Sequence, residues 1–132
     1  MNETEFKART KKLAIRVIRL VGALPKNEME AQVIGKQLLR CATSVGANYR
    51  AACRAKSTAD MISKLSIVLE EADETLYWME LLVESGMMPA SRLKSLMAET
   101  NEIVSMLVAS LKTLRSKSQQ SRIYNSAQSK IL

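Results

Sequence analysis

Helix-breaking and turn-forming residues are scarce in this chain, and their scarcity constrains its fold more than any other feature. The 132 residues include four glycines and two prolines. Runs that alternate β-branched and polar residues are also few, so little of the chain suits β-hairpins. Alanine, leucine, methionine, lysine and glutamate, which favour helices, dominate instead. The sequence therefore predicts an all-α protein.

Apolar residues recur at helical spacing in four segments that are joined by short connections. The predicted helices cover residues 4–23, 27–56, 57–86 and 89–115, with Thr4 and Asn27 as the N-caps of the first two. Four amphipathic helices of this length predict an antiparallel up-down-up-down four-helix bundle over residues 1–115. Residues 116–132 are rich in Ser, Gln and Lys, so we expect a polar, basic and flexible C-terminal tail.

Several large apolar residues lie outside the core stripe of each predicted helix. A monomeric bundle needs one buried stripe per helix, and surplus apolar surface usually marks a subunit interface. The alternative is an asymmetric bundle that buries some of these residues itself. The predicted oligomer-interface residues are Ile15, Ile18, Ile67, Trp78 and Leu81.

A stripe of small residues runs along the second helix, apart from its core stripe. Ala31, Gly35, Ala42, Gly46 and Cys53 share this stripe at helical spacing. Glycine inside a helix costs roughly 1 kcal/mol relative to alanine. Two glycines on one stripe therefore indicate that another backbone comes close to the second helix.

The charges are segregated along the chain. Residues 7–56 contain twelve Lys or Arg and two acids, whereas residues 57–110 contain three Lys or Arg and nine acids. Residues 111–132 add five basic residues and no acid. With a net charge of +7, this distribution predicts a positive surface that attracts polyanions, of which nucleic acid is the commonest.

A ridge of basic residues is predicted on the second helix, opposite its core stripe. Acids do not interleave with these residues, so the i,i+4 pairs that stabilise a solvated charged face are missing. Aromatic residues do not interleave either, which favours phosphate contacts with little sequence preference. Alternatively, the ridge is a solvated face, or it meets the acidic third helix of a neighbouring subunit. The predicted nucleic-acid-binding residues are Lys36, Arg40, Arg50 and Arg54, with Lys12, Arg16 and Arg19 of the first helix.

The sequence offers little for catalysis or metal binding. Histidine is absent, which removes the usual general base at neutral pH and the commonest metal ligand. Cys41 and Cys53 share one predicted helix about 18 Å apart, too far for a disulfide, so we expect both to be reduced. Ser44 has no apparent base within reach. We therefore expect a protein that is not an enzyme, with no catalytic residues, no metal site and no cofactor.

Several short motifs follow one another in a specific order between residues 24 and 86. They read LPKNE from Leu24, QLLRCATSVGANY from Gln37, ACRAKS from Ala52, KLSIV from Lys64, EEADETLYW from Glu70 and LL from Leu81. With these motifs, the chain resembles the small proteins encoded within intervening sequences of bacterial large-subunit ribosomal RNA genes. Many members carry an Asn-hydrophobic-x-Glu-Gly signature, where this chain reads NYRAA from Asn48.

The resemblance implies an antiparallel four-helix bundle that assembles as a ring-shaped homopentamer. The family is also similar to the accessory variability proteins of diversity-generating retroelements, which bind nucleic acid and a reverse transcriptase through basic surfaces. The implied partners are therefore further copies of the chain, DNA or RNA, and a reverse transcriptase.

Two hypotheses for the function follow. The first is a non-enzymatic, oligomeric nucleic-acid-binding or scaffold protein that uses its basic surface. The alternative is a protein-interaction adaptor whose basic face docks an acidic protein partner. No apolar run approaches the roughly 20 residues that span a membrane, and the first residues are polar, so we expect a cytoplasmic protein without membrane contact.

Overall fold

Four helices make up the structure, a computed structural model that describes residues 2–131 and the side chains of residues 2–128. The helices are α1 (Glu3–Gly22), α2 (Met29–Ala52), α3 (Thr58–Glu84) and α4 (Ala90–Ile131). No strand occurs within residues 2–131. Met1 and Leu132, which belong to the predicted bundle and tail, lie outside the described residues. The predicted all-α class is confirmed.

Each helix packs along the next one in sequence, and α4 closes the bundle through a smaller contact with α1. The connections between the helices are short, so consecutive helices run antiparallel. This arrangement agrees with the predicted up-down-up-down four-helix bundle.

The core lies between the apolar stripes of the four helices. Phe6 of α1 and Tyr49 of α2 pack edge to face with ring centroids 4.6 Å apart, and they join the start of α1 to the end of α2. The largest fully buried side chains are Phe6, Leu13, Leu38, Met79, Leu82, Leu93, Ile103, Leu107, Leu111, Val17, Val45 and Val68.

The first two helices begin at residues other than the predicted ones. Asn2 caps α1, because its side-chain oxygen accepts a hydrogen bond from the Glu5 backbone N–H at 3.2 Å. The expected cap, Thr4, already lies inside the helix. In α2, Glu28 is the N-cap residue and its side chain makes no capping hydrogen bond, so the expected cap at Asn27 is wrong. For α1, Asn and Thr are both favoured caps, so residue type alone does not choose between Asn2 and Thr4.

Both ends of α3 agree with the sequence. The Ser57 hydroxyl accepts a hydrogen bond from the Asp60 backbone N–H at 3.1 Å, as expected of an N-cap. Gly86 follows the helix with φ = 81°, in the left-handed region that glycine adopts at little cost. The helix therefore stops at Glu84, near the predicted end.

The last helix extends beyond the packed bundle. Leu111 is its last buried residue, and Leu114 still packs against the core. The expected loss of helix after Arg115 is not observed, because α4 continues to Ile131. No glycine or proline follows Pro89 to end the helix. The division of the chain into a bundle of residues 1–115 and a flexible tail stays a prediction.

The stripe of small residues on α2 faces α1. At Gly46, the nearest neighbour is Thr10, including its backbone. At Gly35, an added Cβ would lie 2.9 Å from a side-chain methyl group of Leu24. The predicted close backbone therefore occurs at Gly46, whereas side chains fill the space at Gly35.

Candidate nucleic-acid interface

The predicted nucleic-acid-binding residues fall into two main groups, one on the side of the bundle formed by α2 and one at the contact between α1 and α4. Three of them are exposed: Lys36 and Arg50 lie on α2, and Arg54 lies in the turn after α2, which ends at Ala52 rather than at the predicted residue 56. By contrast, Arg16 and Arg19 line a small cavity against α4. The structure therefore does not bring all predicted cations onto one surface. Lys12 is exposed on α1 and lines neither of the cavities described below.

An open groove of about 600 Å³ lies between α1 and α2. Small residues such as Gly46 and Ala47 line it, so its floor is shallow and free of bulky side chains. Lys7, Lys11 and Arg50 also line the groove, which makes its walls basic. Arg50 therefore belongs both to this groove and to the ridge on α2.

Lys7 and Lys11 are not among the residues predicted from the sequence. Their i,i+4 spacing places them on one side of α1, but only the packing shows that this side faces α2. Lys7 forms an ion pair with Glu3, with 3.2 Å between Nζ and Oε1. Lys11 has no carboxylate partner among the described side chains.

The α2 ridge consists of Lys36, Arg40, Arg50 and Arg54. Within residues 2–128, no ion pair involves its members other than Arg40. The side chains of Lys36, Arg50 and Arg54 are each exposed to solvent. Their charges are therefore not neutralised by the chain itself.

Arg40 differs from the rest of the α2 ridge because it pairs with α3 of the same chain. Its Nη2 contacts the Glu74 carboxylate, and its Nη1 lies 3.5 Å from Oε2 of Glu71. The charge of Glu74 is the largest of the causes that raise the pKa of Arg40. The Arg40 side chain remains half exposed, and exposed ion pairs contribute little to stability. One ridge residue thus meets the acidic third helix of its own chain. The alternative, a contact of the ridge with the third helix of a neighbouring subunit, stays a prediction.

Arg9 connects α1 to α4 through a second ion-pair cluster. Its Nη2 lies 2.6 Å from Oε1 of Glu99 and 3.2 Å from Oε1 of Glu102. Its Nε also donates to Oε2 of Glu99 at 3.1 Å, which makes the pair bidentate. The hydrogen bond to Glu99 is the main cause that raises the pKa of Arg9. Arg9 therefore stabilises the bundle, and its charge is neutralised.

A smaller cavity of about 250 Å³ lies further along the contact between α1 and α4. We call it the arginine pocket, because its lining consists of Arg16, Arg19, Arg92, Leu20, Leu93 and Leu96. Nη2 of Arg16 donates to the Ser95 hydroxyl oxygen at 3.1 Å. Arg92 is not among the predicted residues, since it lies in the acidic part of the chain.

Three of the five predicted interface residues are exposed. The exposed fractions are 42% for Ile15, 51% for Ile18 and 43% for Ile67. Trp78 and Leu81 are only half-buried, and Trp78 packs against the core. The bundle itself therefore covers part of the surface expected to be surplus, because α3 packs against both α2 and α4.

Disulfides and metal sites would draw on the cysteines and the acidic residues of the chain. Cys41 is buried and Cys53 half-buried, and neither forms a disulfide. The Cys41 sulfur accepts a hydrogen bond from the Thr75 hydroxyl at 3.3 Å. Where side chains are described, no group of three or more His, Cys, Asp or Glu could hold a metal ion. None of the described helices combines the length and apolar character needed to cross a membrane.

The comparison with known families rests on nearly the whole packed bundle. The family model of the 23S rRNA-intervening sequence protein matches residues 2–109. The chain belongs to this family. A solved structure from Bacteroides thetaiotaomicron, described as a protein with unknown function from the S23 ribosomal protein family, is 38% identical with a TM-score of 0.77. The match covers 85% of this chain and 99% of that chain. No curated protein matches the chain.

The region shared with the 23S rRNA-intervening sequence proteins contains both candidate surfaces. The α2 ridge, the groove beside it and the arginine pocket all lie within residues 2–109. The exposed end of α4 lies outside the matched residues. The family expected from the motifs is confirmed, and the similarity to retroelement accessory proteins stays a prediction.

Proposed function

We propose that this protein is a non-enzymatic, homo-oligomeric scaffold that binds nucleic acid through the face formed by α1 and α2. The observation that carries the proposal is the contrast between paired and unpaired cations. Arg9 and Lys64 pair with carboxylates of the same chain, whereas Lys36, Arg50 and Arg54 lie exposed without such partners among the described side chains. Uncompensated cations on one rigid face favour binding to phosphates.

The face suits contacts with the phosphate backbone rather than with bases. Phe6 and Tyr49 are buried, so neither ring is available for base stacking. Phosphate contacts fix the position of a nucleic acid but do not read its sequence. We therefore expect DNA and RNA to bind with little sequence preference and with strong dependence on salt.

Assembly into a homo-oligomer would repeat this face around a common axis. The exposed Ile15, Ile18 and Ile67 favour such an assembly, since apolar surface gains from burial. The family resemblance implies a pentamer, and several copies would combine weak phosphate contacts into tighter binding to one strand. A reverse transcriptase remains a predicted partner.

The test compares two triple variants that remove the same charge. The first, the α2 variant, is Lys36→Ala/Arg50→Ala/Arg54→Ala, which changes two residues of α2 and one in the turn after it. The control removes three exposed cations of α4, Lys94, Lys112 and Lys117. Binding to duplex DNA and RNA of equal length is measured at several salt concentrations, and circular dichroism confirms the fold. Each lost phosphate contact lowers the slope of log affinity against log salt by about 0.9 on duplex DNA.

We expect the α2 variant to lower this slope by up to about three and the α4 variant to leave it close to that of the wild type. Equal losses in both variants would mean that net charge, rather than this face, controls binding. A wild-type protein that binds neither DNA nor RNA would contradict the proposal and favour the adaptor that docks an acidic protein.

A further inference from the structure

The arginine pocket is a second cavity, besides the groove between α1 and α2, on which cations from two helices converge. Arg16 and Arg19 come from the C-terminal half of α1, and Arg92 comes from the start of α4. The rest of the lining consists of the buried side chains of Leu20, Leu93 and Leu96. The cavity therefore has an apolar floor that belongs to the core and a rim of guanidinium groups.

No carboxylate compensates these three charges. The lining of the cavity contains no acid, and in the described part of the chain none of the three arginines forms an ion pair. Arg16 donates to Ser95, which is a neutral acceptor. Arg9, on the same contact between α1 and α4, is neutralised by two glutamates. Acidic residues are therefore present at the Arg9 end of the contact between α1 and α4, but none lines the arginine pocket.

The position of the cavity at the start of α4 adds to its positive potential. The first backbone N–H groups of a helix lack partners within the helix and carry a partial positive charge, so acids usually occupy the first turn. The first turn of α4 contains no acid, and Arg92 lies close to it. Arg92 thus lies beside the positive end of the α4 dipole, where an anion would interact favourably with both the guanidinium charge and the dipole.

From these observations we infer that the arginine pocket binds a phosphomonoester dianion, which the end of a nucleic-acid strand or a free nucleotide can supply. A phosphomonoester carries a charge of about −1.5 to −2 at pH 7 and three strong acceptor oxygens. A phosphodiester inside a strand carries one negative charge. Guanidinium groups bind such oxygens through paired, charge-assisted hydrogen bonds, so three of them favour the dianion.

The pocket and the α2 ridge would then have different roles. Phosphodiesters along a strand would lie on the ridge, and a terminal phosphate would enter the pocket on the other side of α1. If the ligand is the end of a strand, the inference rests on the proposed nucleic-acid binding. If the ligand is a free nucleotide, it does not. The small exposed parts of Leu20 and Leu96 would contact the sugar carbons beside the phosphate.

The experiment uses the full chain and three probes. The probes are a single-stranded oligonucleotide with phosphate at both ends, the same oligonucleotide with hydroxyl groups at both ends, and adenosine 5′-monophosphate. The variant Arg92→Gln removes one charge from the pocket and keeps a polar side chain at an exposed position. Its matched control is Lys112→Gln, which removes an exposed charge elsewhere on α4.

In the wild type and in Lys112→Gln, we expect the phosphorylated oligonucleotide to bind at least about tenfold more tightly than the hydroxyl form. In Arg92→Gln this ratio should fall close to one, and binding of adenosine 5′-monophosphate should weaken in parallel. A ratio of one in the wild type, with both oligonucleotides bound, would overturn the pocket and leave the proposed function intact. Equal loss of the ratio in Lys112→Gln would also overturn it.

The nucleotide separates the two proposals. If adenosine 5′-monophosphate binds the wild type and not Arg92→Gln, while the hydroxyl oligonucleotide does not bind at all, the pocket is supported and the proposed nucleic-acid function is contradicted. If none of the three probes binds the wild type, both are contradicted.

Discussion

Thr10 of α1 lies directly against Gly46 of α2, and this contact limits the distance between the two helices. A Cβ atom at position 46 would lie 3.3 Å from Oγ1 and 3.5 Å from the carbonyl carbon of Thr10. The Thr10 side chain is buried, and its hydroxyl donates to the Lys7 carbonyl oxygen at 3.1 Å. Because Gly46 also lines the groove between Lys11 and Arg50, the same contact determines how closely these cations approach.

The first prediction concerns this contact. Gly46→Leu should lower the free energy of unfolding by about 2 kcal/mol, because the larger side chain must displace the backbone of α1. Gly22→Ala is the matched control, since nothing lies within 4 Å of a Cβ at that position. It should leave stability unchanged or raise it by up to about 1 kcal/mol. Urea unfolding followed by circular dichroism measures both, and an unchanged midpoint for Gly46→Leu would contradict the close packing.

The second prediction concerns the start of α3. Oδ2 of Asp60 accepts hydrogen bonds from the Lys56 backbone N–H at 3.0 Å and from Nζ of Lys64 at 2.7 Å. The hydrogen bond from Lys64 is the largest cause that lowers the pKa of Asp60. A lowered pKa means that the charged carboxylate stabilises the fold above the unfolded-state pKa, and that this contribution is lost as the pH falls through the lower folded-state pKa.

Asp60→Asn should therefore be less stable than the wild type at pH 7, and the difference should shrink as the pH falls below about 4. Unfolding in urea at pH 7 and pH 3 tests this dependence. A difference that is the same at both pH values would mean that the carboxylate charge is not responsible. Glu70→Gln, at an exposed position of the same helix, is the control.

The third prediction concerns assembly. Ile18 is half exposed, so Ile18→Glu should cost little in folding but should place a charge within the proposed subunit interface. Sedimentation should show a shift from oligomer toward single chains for Ile18→Glu and none for Ile123→Glu, which changes an exposed residue outside the family match. Trp78 is a poorer choice because it packs against the core. A wild type with the mass of one chain at micromolar concentration would contradict the proposed oligomer.

The fold could be predicted because its determinants are local. Apolar spacing, few breakers and the signals at Ser57 and Gly86 are readable from neighbouring residues. How many residues of each helix are buried does not depend on neighbouring residues in the sequence but on how the helices pack. Helical spacing predicts core stripes through Met79 and Val83 of α3 and through Thr100 and Val104 of α4. Leu82 and Ile103 lie off these stripes and are nevertheless fully buried, since each helix packs against two neighbours. Trp78 is half-buried for the same reason.

The candidate site was less predictable because it depends on which helix faces meet. Three members of the α2 ridge lie on one helix and Arg54 follows directly after it, so helical spacing alone indicated the ridge. Arg92 joins Arg16 and Arg19 only through the packing of α4 on α1, and no local pattern connects residues so far apart in the sequence. The pairing of Arg40 with Glu74 likewise depends on the register between α2 and α3.

The last prediction uses that pairing to separate two members of the α2 ridge. Arg50 has no carboxylate partner among the described side chains, whereas Arg40 is already neutralised by Glu71 and Glu74. If the ridge binds phosphates, Arg50→Ala should lower the salt slope by about one unit on duplex DNA. Arg40→Ala should lower it less, because a phosphate must displace the carboxylates before it gains the arginine.

Glu74→Gln should strengthen binding in the presence of Arg40 and have a smaller effect in Arg40→Ala, since its benefit comes mainly from releasing the Arg40 side chain. Salt titrations of the single variants and of the double variant measure this coupling, with circular dichroism to confirm the fold. Equal slopes for Arg40→Ala and Arg50→Ala would mean that the ion pair does not compete with the nucleic acid.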